Sequence, residues 1–426
     1  MSLTVIPNSI TKSTTGLKYL LVIWVIVSFT LVGCNSHTLK PLLAPLHPDA
    51  VRQNALFGDF NSFITAVYNA PSDSARMALV DSFMAWAAPQ GFPYIENQTA
   101  YFVYHQSSVS EVTVAGDFNG WSPTVTHLYR LAGTNFYYRG LNFENDARLD
   151  YKFVVDGNWI LDPLNPHTIT GGFGPNSELA MPGYVQPPEI QTYPIPHGAL
   201  ETFTFTDDLQ GRSRQVWVYL PPEYDSTHVY PTVYFHDGGE YLSLAYARNV
   251  LDYLIDQQLI EPVVAIFVDP TNRNEEYTYD NAFLTMFVQD LVPYIDSHYA
   301  TSQDSSHRAV VGVSLGGLTA LWFAYEHPEI FGCAAGFSPS VWLGNLLQDY
   351  TEAEPNTRLY LDAGTYEGQL YQSTVQLHNI LDGKNWPHRW RVWHEGHSWG
   401  SWRAHLDEAL TYFFPFTTTA IDEGSR

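Results

Sequence analysis

The stretch RAVVGVSLGGLTALWFAYEHP, residues 308–328, decides the fold. β-branched and apolar residues lead into Gly312, one serine follows at 314, and beyond Gly316 and Gly317 the pattern turns helical. Strand, glycine-crowded turn and helix form the setting of a nucleophile elbow, because glycine admits a backbone bend that a Cβ would block. Residues 312–316, GVSLG, then read as G-x-S-x-G, with Ser314 as the nucleophile and the Leu315 N–H as an oxyanion donor. The other reading is an ordinary polar residue in a tight strand-to-helix junction.

A serine nucleophile needs a base, and the base needs an orienting carboxylate. Downstream, RLYLDAGTYEG (358–368) sets Asp362 near a strand end and Glu367 in the loop beyond, and WRVWHEGHSWGSW (390–402) offers His394 and His397. The order Ser, acid, His is that of the α/β-hydrolases. His397, in a loop past its strand, is the preferred base over His394 at the strand end. For the same reason Glu367 is preferred as the acid, with Asp362 as the alternative. HEGH (394–397) lacks the helical H-E-x-x-H spacing of zinc proteases, so neither metal nor cofactor is expected.

Around this constellation, RQVWVYLP, YPTVYFHD, VVAIFVD, HRAVVGVS, TRLYLDAG and HRWRVWHE read as strands alternating with helices. That alternation predicts a mainly parallel α/β sheet, with the site at the carboxyl ends of its strands. Before it, TAYFVYHQ, SEVTVAGDF, FYYRGLNF and LDYKFVVDG are short alternating strands split by turn residues, as in a small β-sandwich. The expected organisation is a signal peptide over 1–34, a tether and helical lead-in over 35–95, a sandwich over 96–184, a Pro-rich linker over 185–199 and a hydrolase domain over 200–426. In the lead-in, the pattern from Val51 to Asn69 and that from Ser72 to Gln90 have helical spacing, broken at Pro71 and Ser72.

Composition sets further bounds. With 44 acidic against 20 basic residues the net charge is −24, which repels nucleic-acid phosphates and anionic membrane surfaces alike. Lys12 and Lys18 precede the apolar run YLLVIWVIVSFTLVG (19–33), which is short for a membrane span and fits a signal h-region. LVGC resembles a lipobox, implying an exported lipoprotein, periplasmic or on the cell surface, whose only membrane link is a lipid on Cys34; the alternative is an uncleaved anchor helix. The one other cysteine, Cys333, reads as a small buried hydrophobe, so no intramolecular disulfide framework is available.

YPTVYFHDGGEY, RAVVGVSLGG, FSPSVW, LDAGTYEG and EGHSWGSWRAHL together resemble the esterase family that includes esterase D, carbohydrate esterase family 1 and the enterochelin esterases, over about residues 200–415. The resemblance implies an α/β-hydrolase fold and a serine esterase with Ser314 as nucleophile, His397 as base and Glu367 as acid. It also implies a Gly238 or Gly239 N–H as the second oxyanion donor. Glu395 replaces the first glycine of the family's histidine loop, and Arg273 and Glu276 are expected to form an ion pair bordering the site. VTVAGDFNGWSP, LDYKFVVDGNWILDPLNP and GGFGPNSEL resemble family-48 carbohydrate-binding modules, immunoglobulin-like E-set sandwiches. That resemblance implies Trp121 and Trp159 stacking on sugar, with Lys152 and Asn176 bonding its hydroxyls; the alternative is a non-binding spacer with both indoles capping its core.

The function expected is hydrolysis of feruloyl or acetyl esters on polysaccharide or oligosaccharide. A siderophore trilactone esterase and a non-catalytic carbohydrate-binding lipoprotein are the alternatives. The partner is an acylated carbohydrate or other small ester, with the Trp face on a domain separate from Ser314.

Overall fold

The 308–313 run becomes strand β14 (Arg308–Val313), buried along its whole length at the centre of an eight-stranded sheet. Such continuous burial is the mark of a parallel strand covered on both faces. The structure, a computed structural model, describes residues 57–172 and 174–417. The sheet also contains β10 (Ala199–Thr206), β11 (Ser213–Leu220), β12 (Thr232–His236), β13 (Val264–Val268), β15 (Cys333–Phe337), β16 (Arg358–Gly364) and β17 (His388–Trp393). Their order is β10-β11-β13-β12-β14-β15-β16-β17, with β10 and β11 antiparallel and every pairing from β13 to β17 parallel.

Alternate residues of one strand feed two cores. Val310 packs among Ile266, Phe287 and Phe323 on one face, whereas Ala309 and Val311 pack with Phe267, Leu251 and Leu410 on the other. Each fully buried aliphatic side chain contributes about 1.5–3 kcal/mol, so both layers are strongly held. Two strands, β10 and β15, have no counterpart among the strands read from sequence. Cys333-Ala-Ala-Gly-Phe337 is too poor in β-branched residues to stand out, yet its small side chains fit between neighbours in the crowded centre.

Upstream lies a β-rich region of two sheets. One has the order β1 (Tyr94–Glu96), β2 (Thr99–His105), β5 (Phe136–Asn142), β4 (Tyr129–Arg130). The other has the order β3 (Val112–Gly116), β6 (Arg148–Val155), β9 (Gly174–Ala180), β8 (Thr168–Gly171), with β7 (Asn158–Ile160) on β6. Period-2 alternation on β2 sends Ala100, Phe102 and Tyr104 into the core between the sheets. Tyr101 and Val103 face the other way, against the helices Phe60–Asn69 and Asp73–Ala87. The second helix starts at the break read from sequence, where Ser72 Oγ accepts the Ala75 N–H at 3.2 Å; the first starts at Phe60, within the pattern read from Val51, where Asp59 Oδ1 accepts the Ser62 N–H at 2.6 Å. Phe60 stacks on Tyr101 at 3.8 Å, fixing the helical layer to the outer sheet face.

The β-rich region, its helical flank and the α/β region belong to one compact unit. The expected signal peptide, the expected tether and Cys34 lie outside the described residues. Among the described residues no helix is long and apolar enough to cross a membrane. Cys333 is buried and free.

Candidate active site

Ser314 closes β14 and caps the helix Leu315–Glu326, with φ 56° and ψ −119°. That left-handed conformation is costly for a residue with a Cβ and persists only where the surroundings over-determine it. Here they do so on both sides. The Ser314 N–H donates to Phe337 O at 2.9 Å, and its carbonyl accepts the N–H groups of Leu318 and Ser340, each at 3.0 Å. A Cβ on Gly312 would stand 2.2 Å from Gly316 O, so the strand and the helix approach more closely than any other residue allows. The bend lifts Ser314 Oγ to 2.9 Å from His397 Nε2.

On the far side of the imidazole, Nδ1 lies 3.7 Å from Glu367 Oε2, within ion-pair range and longer than a hydrogen bond. The Glu367 carboxylate is 1% exposed, and its other oxygen accepts the Ser338 hydroxyl at 2.6 Å. Ser338 Oγ in turn accepts Trp402 Nε1–H at 3.0 Å, while the Trp402 ring meets His397 edge to face at 4.8 Å. Of the two candidate acids, Glu367 is therefore the one beside His397. Asp362 lies a layer behind, taking bonds from Ser338 N–H (3.1 Å), Tyr360 OH (3.1 Å) and Trp393 Nε1–H (3.3 Å). Burial, helped by the Glu367 charge, pushes Asp362 up to about 7 against the opposing pull of His405 and the Ser338 N–H. Asp362 thus supports the serine that supports Glu367. The other histidine, His394, turns away to Asp146 Oδ1 at 2.7 Å.

Leu315 and Gly238 are the first residues of their helices, Leu315–Glu326 and Gly238–Ser243, so neither N–H has an intrahelical acceptor. The Gly239 N–H is taken by Asp269 Oδ1 at 2.8 Å, which leaves Gly238 of the two expected donors. The expected pairing of Arg273 with Glu276 does not form. Arg273 instead clamps Asp237 with Nε and Nη2, both at 2.8 Å. Glu276, fully buried, takes Arg214 from Nη1 at 2.9 Å and Nη2 at 3.2 Å. The partners come from a helix start, Asp237, and from strand β11, Arg214, a geometry that residue spacing does not reveal.

The residues picked out upstream belong to the same cleft. A cavity of about 1020 Å³ is lined by Trp121, Lys152, Trp159 and Asn176 from the β-rich region and by Glu367 and His397 from the α/β region. A second cavity of about 350 Å³, reaching Ser314, shares Asp150, Asn176, His397 and Ser398 with it. The indoles, on a region separate from that of Ser314, thus line a cavity that shares His397 with the cavity reaching the serine. The rings stand 6.4 Å apart at 26°, with Trp159 46% exposed and Trp121 tied through Nε1–H to Asp117 Oδ1 at 2.9 Å. Asn176 Nδ2 donates to Asp150 Oδ2 at 3.0 Å. Burial and the nearby Asp150 charge lift Asp117 to about 7. Among the described residues, Lys152 and Arg273 are the only Lys or Arg side chains lining either cavity, against Asp117, Asp150, Asp237, Glu240 and Glu367. Among the described residues no group of three or more His, Cys, Asp or Glu side chains could hold a metal ion.

Sequence reasoning missed the residues that hold the loops. Arg148, fully buried, and Glu144 belong to the β-rich region, yet they bond Ser398 and Tyr366, which neighbour His397 and Glu367. Glu395, in place of a family glycine, is buried against His405 Nε2 at 2.8 Å. No local motif marks Arg148 or Glu144, because these partners are more than 200 residues away.

Residues 208–413 match the esterase family model, described as "Putative esterase". The iron(III) enterobactin esterase of Escherichia coli O6:H1 (strain CFT073) is 27% identical over 266 residues, covering 59% of this chain and 66% of that protein. This chain therefore spans just under two thirds of that relative's length. An endo-1,4-beta-xylanase/feruloyl esterase of Xylanibacter ruminicola is 23% identical over 214 residues, 47% of this chain and 29% of the relative. The crystal structure of the enterobactin esterase from Shigella flexneri superposes with a TM-score of 0.65 at 23% identity, covering 74% of this chain and 92% of that one. That share exceeds residues 199–417, so the likeness in fold takes in part of the β-rich region. The matched region shares the α/β-hydrolase-type fold and is similar in sequence to carboxylic ester hydrolases.

Proposed function

We propose that the protein is an exported serine esterase that removes feruloyl or acetyl groups from polysaccharide or oligosaccharide through an acyl-enzyme. The observation that carries this reading is the 2.9 Å contact between Ser314 Oγ, on its strained elbow, and His397 Nε2, which also lines a cavity with a pair of indoles. His397 takes the Ser314 proton as Oγ attacks the ester carbonyl, and the N–H groups of Leu315 and Gly238 receive the charge that develops on its oxygen. Glu367 keeps the imidazole oriented and stabilises its cationic form. His397 then protonates the departing sugar hydroxyl, and a water activated by the same imidazole releases the acid. The sugar lies on Trp121 and Trp159, whose faces suit pyranose C–H groups, while Lys152 and Asn176 bond its hydroxyls. In this reading the β-rich region is an immunoglobulin-like, family-48-type module. Cys34 carries the lipid that holds the protein at the membrane.

A second reading, a siderophore trilactone esterase, draws support from the likeness to the enterobactin esterases. The lining weighs against it: burial lifts Asp117 and Glu240 to about 7 and Arg273 is spent on Asp237, which leaves Lys152, among the described residues, as the free cation facing Asp150 and Glu367 and disfavours an anionic catecholate. Incubating the purified protein with p-nitrophenyl acetate, methyl ferulate, feruloylated arabinoxylan oligosaccharide and enterobactin tests both. Release of ferulate or acetate with enterobactin intact is the expected result. Rapid cleavage of enterobactin with the sugar esters untouched would replace the first reading with the second.

A further inference from the structure

We infer that Arg148 of the β-rich region is a positioning residue for ester hydrolysis: its guanidinium fixes the loop that carries His397. This rests on the reading of Ser314 and His397 as the catalytic pair. A buried guanidinium is tolerated only where its donors and charge are matched, and Arg148 is matched on one side by its own region. Nε donates to Glu178 Oε1 at 2.8 Å, and Nη2 lies 2.7 Å from Asp150 Oδ1. The remaining arm crosses to the α/β region, where Nη1 donates to Ser398 Oγ at 3.1 Å.

Ser398 directly follows His397 and caps the helix Trp399–Ala404, accepting the Ser401 N–H. At the other end of the loop, the Arg148 backbone N–H donates to His394 O at 3.1 Å. Beyond Ser398, a Cβ on Gly400 would stand 2.2 Å from Nη2, so the guanidinium lies flat against that glycine. One residue therefore touches the His397 loop on both flanks and on the helix that follows. The imidazole itself has few contacts to hold it: Ser314, the edge of Trp402 and Glu367 at 3.7 Å. Where the loop sits sets the Ser314–His397 separation.

A plain interface role would lower stability and leave turnover per folded molecule unchanged. A positioning role lowers kcat with KM little altered, and slows the reaction of Ser314 with a fluorophosphonate in parallel. The test uses the full chain, with p-nitrophenyl acetate as substrate and near-UV circular dichroism as the check on folding. Arg148→Met is expected to lower kcat about 100-fold, Ser398→Ala about 10-fold, and Arg148→Lys by less than Arg148→Met, each with KM within three-fold of the parent. Arg148→Met strands two buried carboxylates and could fail to fold; Ser398→Ala leaves that cluster intact, and Arg148→Lys leaves the Ser398 cap intact, so the two together decide the matter. Folded Ser398→Ala and Arg148→Lys proteins with kcat within two-fold of the parent, while Ser314→Ala is inert, would overturn this inference and leave the catalytic reading standing. Activity retained by Ser314→Ala would bring down both.

Discussion

The loop that carries Ser314 and the loop that carries His397 meet at one hydrogen bond but are held in opposite ways. Ser314 is fixed by its own sheet, through Phe337 O, Ser340 N–H and the close Gly312–Gly316 approach, all within the α/β region. The His397 loop is held in part from outside, by Arg148, by Asp146 on His394 and by Asp117 against Gly396. Glu367 shares this dependence, since its neighbour Tyr366 donates to Glu144 Oε2 and packs on Phe143. The contrast separates a proposed nucleophile built into one fold from a proposed base and acid set by the junction of two.

The contrast can be broken first at its rigid side. Ser314→Ala should lower kcat for p-nitrophenyl acetate by about 10⁶ while leaving the thermal unfolding midpoint close to the parent's, as loss of a triad nucleophile does. Residual turnover of more than a few per cent in steady-state assays would remove Ser314 from the mechanism.

On the other side, Glu367→Gln should lower kcat by about 10³–10⁴, less than Ser314→Ala, because the acid orients the base and does not itself react. Asp362→Asn should cost less than about 10-fold, as that carboxylate acts only through Ser338. Kinetics showing the larger loss at Asp362 would reverse the two assignments.

The indole wall offers a smaller effect with a sharper pattern. Trp121→Ala and Trp159→Ala should each raise KM for a feruloylated oligosaccharide about five-fold, equivalent to about 1 kcal/mol of lost stacking, with p-nitrophenyl acetate turnover unchanged. If both substrates lose turnover equally, the rings shape the cleft and do not grip the sugar.

The smallest effect concerns pH. The folded pKa of Asp362, about 7, lies above its ordinary 3.8, so the stability it contributes is fully present below about pH 3.8 and is lost as pH rises through about 7. Asp362→Asn removes that loss. The unfolding midpoint of the variant minus that of the parent should therefore rise by about 2 °C or more between pH 5 and pH 8, by calorimetry. A difference that stays flat would mean that Asp362 is already ionised at pH 5.

The legibility of the molecule follows the same division. Short-range signals carried the elbow, the serine, the two acid candidates and the histidine loop, because strand, glycine turn and helix are local in sequence. The small-residue strand Cys333–Phe337 escaped because its fitness for the sheet centre is a matter of packing, not propensity. The Arg273–Glu276 pairing failed because two residues three apart on a short helix found stronger partners, Asp237 and Arg214, from elsewhere. Trp121 and Trp159 were visible as residues but not as lining a cavity shared with His397, since nothing local encodes how two regions dock. Arg148 was invisible for the same reason.

The bare Cα atoms at 396 and 400 carry a consequence for how such chains diverge. A side chain at 396 would collide with Asp117, and one at 400 with the Arg148 guanidinium. A relative that lacks the β-rich region is released from both constraints and is free to carry alanine or serine there. A relative that keeps it must change 117 and 396, or 148 and 400, together. Paired substitution at those positions is what the docking of the two regions leads one to expect in relatives that keep both.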